Sequence, residues 1–453
     1  MTNERIETIH QAPYKDDKDY VLYWLQHTQR IHENHALARA VDLANQLEKP
    51  LKVILVIDED FIYANDRNLT FMLEGFKALT HDLHALGAMV HVEVGPTEMS
   101  LLSCLQDAAA LIMDRSYLRP IRRMKERISA RAQSIDLPTE IVESDVIVPV
   151  QVASDKLETA ARTLRPSLQK HVGNFTDAIT IPELFIQSAY LHSPFDTPIE
   201  TLVASMNINH SIAPIPYFKG GEHEALAHMD RFIASTLDEY KNSNDPAKDA
   251  TSKLSPYLHF GMLAPMRLYR VVRASKVDQD SKDGFLEQLL VRRELAFNFI
   301  YFEPYYDDFD HMTHAWAYKT MDIHKHDTRP YHYTLEDYVA ANTHDPYFNA
   351  AMKEMVHTGH MHNYMRMYWG KKILEWSKDY KTAYATMLYL NNHYFLDGRD
   401  PNSYTGVAWC FGRHDHGFKE RDVFGKIRYM NQKGLKRKFD IDAYKARMDA
   451  LEE

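Results

Sequence analysis

Residues Leu51–Val94 read LKVILVIDEDFIYANDRNLTFMLEGFKALTHDLHALGAMVHVEV. The run opens on an apolar, β-branched segment at Leu51–Ile57 and closes on a second at Ala88–Val94. Between them, Asn68–Leu86 carries Phe71, Leu73, Phe76, Leu79 and Leu83, mostly at the three- and four-residue steps of an amphipathic helix. A strand, a helix and a strand within one short stretch predict a parallel βαβ unit. Working outward, similar strand signals occur at Tyr20–Leu25, Leu111–Met113 and Glu140–Pro149. The first third is therefore expected to be a doubly wound, Rossmann-like parallel sheet. A ligand would sit beyond the carboxyl ends of its strands, near Gln26–Asn34. No GxGxxG and no GxxxxGK[ST] occurs, so no phosphate loop is identified there.

The pattern changes near Val152. Ser154–Arg162 reads as a helix, and a proline-punctuated connector follows to about Gly221. From Glu222 the sequence reads as helices with few strand signals. The expected organisation is an α/β domain at 18–150, a connector at 151–221 and an all-α domain at 222–453.

The 453-residue length suits two or three domains. Two cysteines, Cys104 and Cys410, exclude a disulfide framework or a cysteine-rich metal site and fit a reducing compartment. The polar N-terminus lacks the apolar core of a signal peptide, and no apolar run approaches the roughly 18–20 residues of a membrane span. A cytoplasmic monomer without a membrane partner is expected. The net charge of −10 means that any nucleic-acid contact must come from a local basic region.

Four segments of the second half carry chemistry. Asp249–Gly261, DATSKLSPYLHFG, places Thr251, Ser252 and Ser255 at a helix start, where free N–H groups bind anions; alone it also reads as an ordinary cap. Phe285–Phe299, FLEQLLVRRELAFNF, sets Gln288, Arg292 and Arg293 in an apolar helix; without context that is a solvated face. Thr358–Trp376 contains Trp369 and Trp376, seven residues and thus about 10.5 Å apart along one helix face. That suits electron hopping, although core packing uses the same spacing. Asn363 and Arg366 lie three apart on the same helix, and the His360/His362 pair has too few companions to predict a metal site. Leu390–Tyr429 joins Asp397, Arg399 and Asp400 in a turn with Trp409. From Trp409 to Lys438 there are nine Lys/Arg against three acids, a footprint for phosphates beside a ring that can stack on a base.

These segments, in this order and spacing, resemble the class II cyclobutane pyrimidine dimer photolyases of the cryptochrome/photolyase family. TSKLSPYLHFG, MHNYMRMYWGKKILEWS, LDGRDPN and FGKIRYM carry the likeness, which runs from Tyr20–Leu37 to the C-terminal KRKFD. The resemblance implies FAD in the helical domain and light-driven electron transfer to a dimer flipped out of UV-damaged DNA. It assigns the cofactor to Tyr240, Thr251, Ser252, Lys253, Leu254, Ser255, Asn363, Arg366 and Asp397, with Asn391 beside the flavin N5. Trp409 and Met367 would line the dimer pocket. Arg292, Arg413, Arg421, Lys426 and Arg428 would face DNA. Trp369 and Trp376 would relay electrons to oxidised flavin. An antenna chromophore, a deazaflavin or a folate, would accompany the first domain.

Three positions depart from the family pattern. Gln288 stands where an acid is usual, and an amide can donate a hydrogen bond but cannot release a proton. Phe348, in THDPYFNA, stands where a relay tryptophan is expected, leaving Tyr347, Tyr364 or Tyr368 as detours. Ser243 replaces an arginine. These departures also suit an alternative, a cryptochrome-like photoreceptor with weak or no repair. The basic 409–438 region and Trp409 favour repair.

Overall fold

A computed structural model describes residues 3–452. Packing groups the chain into two compact units. The first takes in the chain up to Asp155 together with Ser167–Asp230 and Leu254–Ala274. The second takes in Lys156–Pro166, Arg231–Lys253 and the chain from Ser275 onward.

The first unit is built on one seven-stranded sheet: β1 (Ile6–His10), β2 (Tyr20–Trp24), β3 (Leu51–Ile57), β4 (Met89–Val94), β5 (Ala108–Asp114), β6 (Thr139–Val142) and β7 (Leu191–His192). Their spatial order is β1-β6-β5-β2-β3-β4-β7. All neighbours are parallel except β1, which runs antiparallel to β6. Alternation along β2 divides the core into two layers. Val21 and Tyr23 pack on the helices His35–Gln46 and Asp66–Ala85, through Leu37, Leu73 and Phe76. Tyr20, Leu22 and Trp24 pack on Thr97–Leu105 and Arg119–Ser134, through Leu101 and Ile128. Helices on both faces of a parallel sheet are the doubly wound arrangement expected from Leu51–Val94.

Several boundaries differ from the sequence reading. β1 lies before residue 18, in a segment read as merely polar; it is a half-exposed edge strand with little apolar signal. β5 begins at Ala108, earlier than Leu111, because its three alanines have weak strand preference although they are fully buried. The expected strand at Glu140–Pro149 ends at Val142. Beyond it the backbone turns its carbonyls onto the buried Arg5 guanidinium, which donates to Glu143 O, Val146 O and Ile147 O at 3.0, 3.1 and 2.6 Å. The helix expected at Ser154–Arg162 is replaced by Val150–Ala153 and Ala161–His171. Between these helices, the Asn298 amide donates to Lys156 O and accepts from Glu158 N, holding the backbone irregular.

The second unit is helical. Its long elements are Gln279–Phe302, Pro346–Thr358, Asn363–Trp376, Tyr380–Tyr394, Pro401–Cys410 and Ile441–Asp449. Asp345 caps Pro346–Thr358 by accepting from Tyr347 N and Phe348 N, and Gly359 ends that helix at φ 65°. Gln279–Phe302 is not α-helical throughout: Glu287–Arg292 is a π-helical stretch. Among the described residues, no helix is long and apolar enough to cross a membrane. Cys104 and Cys410 are free and buried.

Candidate active site

The helix Asn363–Trp376 organises the site in the second unit. His362 caps it, its Nδ1 accepting from Tyr364 N at 3.2 Å. Asn363 is exposed and Arg366 and Met367 are half-buried, whereas Trp369 is buried. One helix thus carries two polar groups outward and an indole inward. Arg366 Nη2 donates to both carboxylate oxygens of Asp397 at 2.9 Å, and its Nε donates to Met361 O at 3.1 Å. The guanidinium also lies 4.0 Å from the Phe395 ring centroid. Charge-assisted bonds of this kind fix a side chain as well as neutralise it.

Asp397 sits in the turn LDGRDP, which folds back on the end of Tyr380–Tyr394. Gly398 is required there: a Cβ would lie 2.6 Å from Asn391 O. The buried Arg399, at φ 59°, donates through its guanidinium to Asn392 O and Leu396 O, while its backbone N–H donates to Asn392 Oδ1 at 2.9 Å. Burial lowers its guanidinium to about 10. Asn391 Nδ2 donates to Asn392 Oδ1 at 3.0 Å, which orients the Asn391 amide. Asn392 Nδ2 is buried with no hydrogen-bond partner.

Trp369 Nε1 donates to Met352 Sδ at 3.2 Å. Trp376 lies in a cluster with Phe348, Tyr333 and His344, at centroid distances of 5.1, 5.3 and 5.1 Å. Of the three detour tyrosines, Tyr347 donates to Asp442 Oδ1 at 2.6 Å, Tyr368 donates to Asp345, and Tyr364 packs edge-on to Phe439.

Gln288 is exposed on the π-helical stretch. No sequence pattern marks that stretch; such insertions cluster at functional sites. The adjacent carboxylate, Glu287, is held by Arg165 at 2.8 and 3.1 Å and by Arg292 at 3.1 Å, so it does not replace the missing acid. Arg292 also lies over the half-buried Trp409, 5.6 Å from its ring centroid. The basic residues divide. Arg421, Lys426 and Arg428 are exposed on the irregular segment after Pro401–Cys410. Arg413 is not on that surface: it is 3% exposed, packs 4.2 Å from the Phe299 ring, and is lowered to about 10 by burial.

Tyr240 packs edge-on with Phe232 and Phe285, and burial pushes its phenol up to about 12. Thr251, Ser252 and Lys253, half-buried, end the second unit's Arg231–Lys253 segment, with Lys253 at φ 53°. Leu254 and Ser255 belong to the first unit, where Ser255 opens the short helix Ser255–His259. Gly261, which closes that motif, is fixed by close approach: a Cβ would meet His27 O at 2.1 Å.

The first unit offers a second candidate site. The strand order reverses between the parallel neighbours β2 and β5, the switch point where such folds bind ligands. The Asp114 carboxylate accepts from Gln26 N, His27 N and Thr28 N at 2.9–3.0 Å, shaping the loop after β2. Thr28 Oγ1 and Gln29 Oε1 are buried there without a partner. Burial lowers the Lys125 ammonium, 5.0 Å over the Trp24 ring, to about 7.

Comparison with known proteins decides the family. A deoxyribodipyrimidine photo-lyase of Methanothermobacter thermautotrophicus is 42% identical over 451 residues, covering 99% of this chain and 98% of its own length. The chain belongs to the DNA photolyase family. The DNA photolyase family profile matches residues 21–183. A deoxyribodipyrimidine photo-lyase of Arabidopsis thaliana is 39% identical over 94% of this chain and 88% of its own. A bacterial class III photolyase from Agrobacterium tumefaciens shares the fold, with TM-score 0.72 at 16% identity over 95% of this chain and 86% of its own. The family implies FAD, and the second unit of this photolyase-family chain offers a fitting donor set. It has an exposed amide at Asn363, an oriented one at Asn391, an orphaned buried amide N–H at Asn392 and a fixed guanidinium–carboxylate pair. Heteroatoms on the edge of a flat ring need such donors and acceptors.

Proposed function

We propose that this chain is a class II photolyase that splits cyclobutane pyrimidine dimers in DNA under blue light, with FAD as its cofactor. One observation carries the reading. Asn363, Arg366, Met367 and Trp369 lie on a single helix, so the positions assigned to cofactor, dimer and relay fall within about 9 Å of helix axis. When bound, reduced flavin supplies, on excitation, the electron that opens the cyclobutane ring.

The chain's own residues bind and orient. Asn363 and the Arg366–Asp397 pair hold the flavin ring. Asn391, with one amide N–H engaged by Asn392, would sit beside the flavin N5. Tyr240, Thr251, Ser252 and Lys253 would hold the cofactor around its phosphates. Trp409 stacks on an extruded base, and Met367 lines the same pocket. Extrusion costs least for a lesion that already stacks poorly. Gln288 donates a hydrogen bond to a thymine carbonyl as charge develops on it. Arg421, Lys426 and Arg428 contact phosphates. In the first unit, the orphaned Thr28 and Gln29 oxygens bind an antenna chromophore, a deazaflavin or a folate.

Blue-light incubation of the reduced holoprotein with a defined thymine-dimer oligonucleotide, scored for restored thymines, tests this reading. Restoration only in the light is expected. Dimers that survive at saturating protein would overturn it.

A further inference from the structure

The outer edge of the first unit's sheet carries two imidazoles and a carboxylate that the photochemical reading does not use. Strand alternation puts His91 and Glu93 on one face of β4, opposite the face that buries Val90 and Val92. Parallel pairing with β7 then sets His192 directly beside His91. The two rings stack at 4.7 Å and 25°. Glu93 Oε2 lies 2.9 Å from His91 Nε2, and one ligand atom from each of the three residues lies within 4.8 Å of the others.

We propose that His91, Glu93 and His192 form a binding site for a divalent first-row transition metal, with zinc as the redox-inert occupant. Two imidazole nitrogens and one carboxylate oxygen make a borderline-soft set that suits zinc better than calcium or magnesium, which take oxygen ligands. Three protein ligands leave a fourth position for water. Ligand atoms ~2.0–2.1 Å from a tetrahedral ion lie ~3.3 Å apart, so side-chain rotations close the site. The Tyr190 hydroxyl, 3.0 Å from His91 Nδ1, supplies the outer partner that orients a ligating imidazole.

The metal would act on the segment that carries β7. That strand has two residues and is held by few backbone bonds, including Val90 N to Tyr190 O at 3.0 Å and Ser188 N to Gly87 O at 2.9 Å. So short a pairing is weak alone. A metal bridge from β4 to His192 adds its binding free energy to the docking of this segment and keeps the β4 edge covered.

The test is titration of the chelator-stripped full-length protein with zinc in competition with a chromophoric chelator, repeated with cobalt for its visible spectrum. One ion per chain at micromolar or tighter affinity is expected. His192→Ala and Glu93→Gln should each weaken binding at least tenfold and Tyr190→Phe about tenfold. His192→Cys, which restores a ligand, should recover zinc binding. His192 is exposed, so its replacement leaves the fold intact. An affinity unchanged in His192→Ala, or no binding at micromolar zinc, would sink the proposal.

Discussion

Phe348 packs edge-on against Trp376, with ring centroids 5.1 Å apart at 65°. Its ring is fully buried, at the position where the family resemblance expects an indole. A phenyl ring is far harder to oxidise than an indole, so a hole cannot pause there. Phe348→Trp should accelerate thiol-dependent photoreduction of the flavin, followed as bleaching of its blue absorbance. The larger ring should cost about 1–3 kcal/mol of stability through overpacking. Equal photoreduction rates would show that another donor is used; Tyr333, 5.3 Å from Trp376, would be the first to replace.

Asp397→Asn tests the flavin assignment. The substitution leaves Arg366 without its charged partner, in a site where Asp397 is only 11% exposed and Arg366 25%. A charged hydrogen bond contributes about 1.5–3 kcal/mol, so flavin should be retained about tenfold or more less tightly. The readout is the flavin-to-protein absorbance ratio after gel filtration. A full flavin complement in the variant would remove the pair from the cofactor site.

The core strands β2, β3 and β4 were legible because short runs rich in apolar and β-branched residues report burial locally. β1 and β7 were not, since edge strands of five and two residues expose much of their surface. Glu143–Pro149 misled for a different reason. Its apolar composition is real, but Arg5, 138 residues or more away in sequence, takes its carbonyls. Local patterns cannot register such a contact. Asn363 and Arg366 share a helix face by spacing alone, whereas the join from Arg366 to Asp397 spans 31 residues and came only through family resemblance. Arg413 shows the limit of counting charge: sign is readable in sequence, direction is not, and its guanidinium lies against Phe299.

His414 should make the second unit acid-sensitive. It is 7% exposed, and burial, with the neighbouring Arg413 charge, lowers its imidazole to about 3. A folded value below the unfolded one means that the neutral ring is favoured by folding. This stability is present above about pH 6.5 and is lost as pH falls toward 3, on the order of 5 kcal/mol in all. His414→Asn should flatten that limb in denaturant titrations across pH. Asparagine can still donate to Thr159 O, which now meets His414 Nδ1 at 3.0 Å, and it tolerates the φ of 59°. An unchanged acid limb would mean that other groups set it.

Gln288→Glu should raise the yield of dimer splitting per photon absorbed by reduced flavin. The side chain is exposed on the π-helical Glu287–Arg292 stretch, so the exchange should change stability by no more than about 0.5 kcal/mol. The existing carboxylate, Glu287, cannot already serve, because Arg165 and Arg292 hold it as an ion pair. A protonated carboxyl at 288 can donate a hydrogen bond to a thymine carbonyl and release its proton as the ring gains an electron, whereas the amide can only donate. Gln288→Leu, which does neither, should fall below the natural chain. If all three split dimers equally per photon, residue 288 makes no contact with the lesion, and stabilisation of the developing charge must come from elsewhere in the pocket.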